Sequence, residues 1–340
     1  MRPDTNHKPI HMPKGTTVIP IASGKGGVGK SLLAANLAIA LAKQGHPTVA
    51  VDMDLGGSNL HTYLGIPNKY AGIGDYLKGR KRSLDELILQ TDIPLLRFLP
   101  GDGKTPFMAN IPSGQRLVLL EKLLTIPTKY LIVDLGAGSS LNTMNFFGMT
   151  HKGVMVTTFE TSAIMNCMMF LRNFTLANIT SLVRQQKEIH DMLFTAFRNP
   201  QEHGGLRINP ILKKVAEIDK DLAEKIRKKC KLYHPRIIFN MGDHPNDLNI
   251  LDKIDTTLRK NLDMEAEYFG FIFYDEVVRS SVRKNQTIIP NHPKSLYAKC
   301  TESLADRIIK GWDRPVSESI KSLQDETRKQ YAGWHPNGKI

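Results

Sequence analysis

Cysteine is scarce: Cys167, Cys230 and Cys300 are the three in 340 residues. They are far apart, odd in number and form no Cys-x-x-Cys pair. That argues against a disulfide framework and against a metal or iron–sulfur cluster held within one chain, and a reducing cytoplasm fits. No run of eighteen apolar residues exists, so no membrane-spanning helix is expected. The opening stretch MRPDTNHKPIHMPKG is polar and lacks an apolar h-region, so residues 1–15 read as a flexible arm rather than a secretory signal. There is no internal repeat and no low-complexity tract. Acidic residues are in deficit, 33 against 46 Lys and Arg, for a formal charge of +13. Such a balance favours an anionic partner, nucleic acid or a membrane surface, over a protein indifferent to both. The plainer alternative is a solvated basic surface that maintains solubility.

What is present alternates. TTVIPIAS (16–23) is a short β-branched run before a glycine-rich loop and reads as a buried strand. From Ser31 to Gln44, Leu33, Leu37, Ala40 and Leu41 recur at helical spacing, and Gly45 closes the helix. PTVAVDMD (47–54) is a second strand ending in two carboxylates. IGDYLKGRKRSLDELILQ reads as two short helices, the second capped by Ser83 with Glu86 three residues on. PLLRFLPGD (94–102) is a third strand. SGQRLVLLEKLLTI follows as an amphipathic helix with Leu117, Leu120, Leu123 and Leu124 on one stripe. KYLIVDLGAG (129–138) and KGVMVTTFE (152–160) are apolar strands, and SAIMNCMMFLRNF is a Met-rich helix whose stripe suits a core.

Strands that are apolar on both faces and alternate with helices imply an α/β protein with a doubly wound, mostly parallel sheet. Residues 184–236 break the rhythm as a helical insertion. It has thirteen Lys and Arg against seven Asp and Glu, and a Gly/Asn/Pro interruption at RNPQEHGGLRINP. PRIIFNMGD and YFGFIFYDE resume as strands, and SLYAKCTESLADRIIKGW as a helix. The expected organisation is therefore one domain over 16–312 with a polar tail over 313–340. In the tail, Ile320, Leu323 and Tyr331 give one helix only a thin apolar side. That suits a helix packed on the domain or left in solvent, not one that targets membranes.

The chemistry lies in ASGKGGVGKS (22–31). A strand, a glycine loop, Lys-Ser and a helix make a P-loop, spaced G-x-x-x-x-G-K-[ST] from Gly24 to Ser31. Its residues Gly24, Lys25, Gly26, Gly27, Val28, Gly29, Lys30, Ser31 and Leu32 would wrap phosphate with backbone N–H groups at a helix N-terminus. Lys30 would reach the β- and γ-phosphates, and the Ser31 hydroxyl would ligate Mg²⁺. Asp134 ends an apolar strand where a Mg²⁺-associated carboxylate sits. Asp52 and Asp54 end another, and strand carboxyl ends gather where ligands bind. Lys25 is surplus to the loop's own needs. Its charge can act from outside, on a nucleotide held by a second subunit, as an arginine finger does; otherwise it only raises the local potential.

These residues carry a resemblance. KGGVGKS (25–31) resembles the deviant Walker A motif of the ParA/MinD family of P-loop ATPases. VDMDLGGSN (51–59), with Asp52, Gly56 and Asn59, resembles the family's switch I, and LIVDLGAG (131–138), with Gly136 and Gly138, its switch II. Within the family, DLGAGSSLNTMNFF, TTFETSAIMN and YFGFIFYDEVVRSSVRKNQTIIP look most like the MinD-like FlhG/FleN regulators. The resemblance spans roughly residues 16 to 310.

It implies an ATP- and Mg²⁺-dependent homodimer that hydrolyses ATP slowly, returns to monomers, and positions or regulates a cellular structure with a stimulating protein partner. The protein would be cytoplasmic, or peripheral at the inner membrane or on the nucleoid. On this resemblance Lys25 crosses to the partner's phosphates, and Asp54 orients the attacking water and stands near the metal with Ser31 and Asp134. Asn240 reads adenine from the loop after its strand. Two features depart from the pattern: Phe273 stands where the family usually has proline, and the arm lacks a DQAxxLR-like segment.

Competing readings are a ParA-like, ATP-dependent non-specific DNA binder and an ATP-using metabolic ligase on the same fold. An iron–sulfur carrier would need a ligating cysteine pair that the chain lacks.

Overall fold

A computed structural model describes residues 15–101, 111–183, 186–198 and 207–334. The arm before Gly15, most of the interruption at 199–206 and the last residues of the tail lie outside the described residues.

Eight strands form one sheet in the order β3-β4-β2-β5-β1-β6-β7-β8. They are β1 (Thr17–Ser23), β2 (Thr48–Met53), β3 (Leu89–Gln90), β4 (Leu96–Leu99), β5 (Tyr130–Leu135), β6 (Val154–Thr157), β7 (Arg236–Gly242) and β8 (Glu267–Phe273). All pairings are parallel except β3 with β4. The central strands β2 and β5 are buried along their whole length, which is why they read as unbroken apolar runs. Helix α1 (Lys30–Lys43) lies in this core, with all but its last residue buried.

The remaining helices are α2 (Leu60–Tyr63), α3 (Ile73–Leu77), α4 (Ser113–Leu124), α5 (Leu141–Phe147), α6 (Thr161–Leu182), α7 (Lys187–Arg198), α8 (Asn209–Ile218), α9 (Lys220–Lys231), α10 (Leu251–Thr257), α11 (Glu276–Arg283), α12 (Ile288–Asn291), α13 (Leu296–Gly311) and α14 (Ser319–Trp334). The insertion is thus helical. Helices α7 and α9 pack on α6, and Ile211, Leu212, Val215, Ala223 and Ile226 of α8 and α9 turn inward.

Three local expectations differ from the structure. The second helix expected after α3 is a single 3₁₀ turn, Asp85–Leu87, begun by Leu84 rather than capped by Ser83, and it leads into the short edge strand β3. Extended pairing of Leu89 and Gln90 with Phe98 and Arg97 takes over directly after the turn. On α4, Leu119, Leu123 and Leu124 are buried while Leu117 is 44% exposed. The helix seats itself on the i, i+4 pair Leu119–Leu123, about one residue round from the expected stripe. The Met-rich helix α6 buries Met168 but leaves Met165 48% exposed.

The amino ends of β7 and β8 are joined by a buried ion pair. Arg236, wholly buried, donates from Nε to Glu267 Oε2 at 2.7 Å and from Nη2 to the Arg314 carbonyl at 3.1 Å. Its guanidinium lies over the rings of Phe269 and Trp312, 4.3 and 4.1 Å from their centroids. Glu267 in turn accepts the Val316 N–H. This fixes the segment between α13 and α14, so that α14 runs back over β8. There Leu323 and Thr327 are buried, Arg307 of α13 pairs with Glu326, and Tyr331 meets the rings of His244 and Phe273.

Glu267→Ala strands a buried guanidinium and should cost about 3–5 kcal/mol in urea unfolding. Replacing both Arg236 and Glu267 with Met should recover most of that loss. A single substitution that is neutral would show that the pair contributes nothing to the fold.

Candidate functional site

Parallel strands deliver their carboxyl ends to one edge, and the sheet order decides what meets there. In the register of β2 with β5, Asp52 lies opposite Asp134, and in that of β1 with β5, Ile21 lies opposite Asp134. The loop after β1 therefore opens beside three carboxylates. Gly27 and Gly29 adopt φ of +84° and +82°, which side chains disfavour. Gly24 is needed for a different reason: a Cβ there would stand 2.2 Å from the backbone of Asn166 on α6. Gly26 is exposed at the tip, while Val28 and Leu32 are buried and anchor the loop to the core.

Lys30 is buried. Its Nζ donates to Asp134 Oδ1 at 2.5 Å and to Ser31 Oγ at 3.1 Å. The other Asp134 oxygen, Oδ2, is buried with no hydrogen-bond partner. Burial raises the Asp134 carboxyl above the usual range, with the Lys30 ammonium pulling it back.

Asp52 is held differently: its two oxygens accept the N–H groups of Asp54 and Leu60, both at 3.1 Å. Burial first, and the Asp134 charge second, push its carboxyl up to about 7. Asp54 follows the end of β2, half-buried between Gly57 and Gly136, where any Cβ would come within 3.6 and 3.5 Å of Oδ1. Gly56 and Gly136 line a cavity of about 150 Å³ with Asp54 and Thr143. Gly138, at φ +80°, donates its N–H to the Ser23 carbonyl and so links the turn after β5 to the loop after β1. Asn59 precedes α2, and its side chain forms no cap there.

Two expected residues sit in places that the sequence did not reveal. Asn240 lies within β7, not in the loop after it, and is 1% exposed; its Nδ2 donates to the Val28 carbonyl at 2.8 Å. A side chain buried against the loop supports the loop's backbone, so the expected placement beyond the strand is corrected. Met241, next in line, has φ of +58° and lies beside Gly29. Lys25, a third exposed, is held within its own chain: Nζ meets Glu160 Oε2 at 2.8 Å and Ser162 Oγ at 2.9 Å. Glu160 precedes the first turn of α6, and Lys25 holds its carboxyl below the ordinary range. Glu160 and Ser162 were missed because nothing in TTFETSAIMN points across 135 residues to the loop.

Residues 19–288 match the CobQ/CobB/MinD/ParA nucleotide-binding domain. The chain belongs to that family. It is a P-loop ATPase of the MinD/ParA type, in the MinD-like FlhG/FleN group. The chain is similar to the flagellum site-determining protein YlxH of Helicobacter pylori, 32% identical over 57% of this chain and 69% of the relative. It is also similar to the antiactivator FleN of Pseudomonas aeruginosa, 24% identical over 88% of each. The fold matches the septum site-determining protein MinD complexed with Mg-ADP from Pyrococcus horikoshii, with a TM-score of 0.58, 21% identity, and 87% and 96% of the two chains covered.

The residues present fit such a nucleotide and its metal. Gly27 and Gly29 shape the loop through positive φ, Lys30 is buried against the Asp134 carboxylate, and Asp134 Oδ2 is buried without a hydrogen-bond partner. Among the described residues no group of three or more His, Cys, Asp or Glu forms a cation cage. Magnesium shared with phosphates does not require one.

Because the Asp52 carboxyl ionises near 7 when folded and near 3.8 when unfolded, the unfolded chain sheds that proton first as pH rises. Its contribution to stability is therefore whole at low pH and declines between about pH 4 and 7. The ligand-free protein should gain roughly 1 kcal/mol from pH 7 to pH 6 in urea titrations. A flat or opposite slope that Asp52→Asn leaves unchanged would contradict the assignment.

Proposed function

We propose that the protein is an ATP-driven dimerisation switch that positions or regulates a cellular structure, with hydrolysis slow until a protein partner stimulates it. The observation that carries this reading is the second lysine. Lys30 serves its own loop, and Lys25 stands at the rim, fastened to Glu160 and Ser162 by contacts that a facing phosphate could replace. In the dimer Lys25 offers its charge to the partner's nucleotide, between the β- and γ-phosphates.

Within one subunit the roles divide by position. The loop N–H groups and Lys30 bind phosphate oxygens. Ser31 with Asp134 would hold magnesium, which supplies charge neutralisation on the phosphates. Asp54, seated between two glycines, orients water. The names of YlxH and MinD support a role in siting flagella or the division septum, with YlxH matching more of this chain than MinD, and the name of FleN, an antiactivator, supports a regulatory one.

The surface on which the switch works is anionic. Helices α8 and α9 expose Lys213, Lys214, Lys220, Lys225, Arg227, Lys228 and Lys231. Their apolar residues are mostly spent on the core, so the face offers charge rather than a greasy stripe. That favours nucleic acid over insertion into a bilayer, and it keeps the non-specific DNA-binding reading attached to the switch. No helix among the described residues is long and apolar enough to cross a membrane.

Lys25→Ala should bind ADP with an unchanged affinity by calorimetry yet lose concentration-dependent ATP hydrolysis by at least tenfold. Wild-type turnover in that variant would remove the crossing lysine. Separately, changing Lys213, Lys214, Lys228 and Lys231 to Glu should abolish co-sedimentation with random-sequence duplex DNA. In the wild type that binding should weaken steeply between 50 and 200 mM salt, by roughly a hundredfold or more. Binding to anionic vesicles but not DNA would reverse the choice of surface.

A further inference from the structure

Met53, Leu55, Ile111, Leu135 and Phe146 form apolar walls of the cavity beside Asp54. Its volume of about 150 Å³ gives room for several waters. The cavity flanks the phosphate loop. Gly136, which lines it, lies two residues past Asp134, the carboxylate that Lys30 holds. The Gly138 N–H bonds the Ser23 carbonyl at the root of the loop.

Asp54 is open to whatever the cavity contains. The oxygens of Asp52 accept two backbone N–H groups, and Asp134 Oδ1 accepts the Lys30 ammonium. Among the described residues no group donates to either carboxylate oxygen of Asp54. Gly136 keeps the space next to it clear: a Cβ there would stand 3.5 Å from Asp54 Oδ1 and 3.6 Å from Thr143 Oγ1. One small space thus borders both a carboxylate and a hydroxyl.

Thr143 is buried in the first turn of α5, which Ser140 caps. Elsewhere in the chain Thr175, Thr180, Thr195, Thr257 and Thr301 each spend their hydroxyl on the carbonyl four residues back. Thr143, so near the start of its helix, has no helical carbonyl beneath it. Its Oγ1 meets Ser140 Oγ at 2.8 Å, and Ser140 Oγ also accepts the Thr143 N–H at 3.1 Å. A hydroxyl has one proton and two lone pairs. That single bond leaves Thr143 Oγ1 able to take a second partner, and Thr143 lines the cavity.

We propose that Thr143 is a positioning residue for hydrolysis: its hydroxyl and Asp54 Oδ1 together hold the water that attacks the γ-phosphate. The water donates one hydrogen bond to Asp54 Oδ1 and the other to Thr143 Oγ1, which turns its lone pairs towards phosphorus. One carboxylate alone leaves the water free to swing; two anchors fix its direction. In the attack a water lone pair forms the new bond to phosphorus. The bond from phosphorus to the bridging oxygen breaks, and its electron pair leaves with ADP. One water proton departs past Asp54 to solvent, and the other stays on the released phosphate. The inference rests on the role given to Asp54 above and adds the hydroxyl to it.

Steady-state ATP hydrolysis by the full chain tests this. Thr143→Val keeps the shape and removes the hydroxyl. It should lower kcat roughly tenfold or more, with KM for ATP and the affinity for ADP within about threefold of wild type. Thr143→Ser, which keeps the hydroxyl, should restore kcat to within about threefold. Adding Thr143→Val to Asp54→Asn should cost no further activity, because both changes act on one water. Circular dichroism checks folding, and Thr143→Ala reads the same loss if the Val variant does not fold. Wild-type kcat in the variants that lack the hydroxyl, or a loss that Thr143→Ser does not relieve, would overturn the inference and spare the part played by Asp54. Wild-type turnover in Asp54→Asn would instead overturn the reading beneath it.

Discussion

The arrangement depends on burying one ammonium group, that of Lys30, among carboxylates at the centre of a parallel sheet. A buried charge is tolerated only with close partners, and here Asp134 and the Ser31 hydroxyl provide them. Everything nearby follows from that constraint. The strand order must bring the ends of β1, β2 and β5 together, the loop must pass close to α6 and β7, and glycine must stand wherever backbone meets backbone. The charges at this edge are close to balance but not satisfied, since one oxygen of Asp134 has no partner and Asp52 is pushed towards its neutral form. Phosphate oxygens and a divalent cation would complete the set.

Lys25 is the counterpoint. Five residues from a buried lysine, it is held at the surface by Glu160 and Ser162, where solvent screens the pair and its net worth is small. A weakly held cation on a rim is free to change partners, whereas Lys30 is not. On the proposed function the two lysines divide the labour of one loop: Lys30 would fix the ligand within the subunit, and Lys25 would be offered to a neighbour.

Much of this was legible in the sequence because local rules were enough. The β-branched runs, the helix opening at Lys30-Ser31 and the carboxylates closing β2 and β5 each follow from a handful of adjacent residues. What was not legible depended on distant contacts. Glu160 clasps Lys25 across 135 positions, and Asn240 turns out to prop the loop from inside β7. Leu117 faces solvent because α4 settles on Leu119 and Leu123 instead. The tail illustrates the same limit. Ile320, Leu323 and Tyr331 suggested a helix packed on the domain or left in solvent without choosing; the surface it packs on is β8, beside an ion pair between Arg236 and Glu267 that no local pattern reveals.

The central claim is that two copies of this chain meet across trapped nucleotide, each lending Lys25 to the other. Sedimentation velocity of the wild-type protein with a non-hydrolysable ATP analogue and magnesium tests it most directly. The account predicts a monomer with ADP and a dimer with the analogue, the dimer fraction growing with protein concentration. A single-chain species under both conditions, at concentrations where the analogue saturates the site, would contradict it.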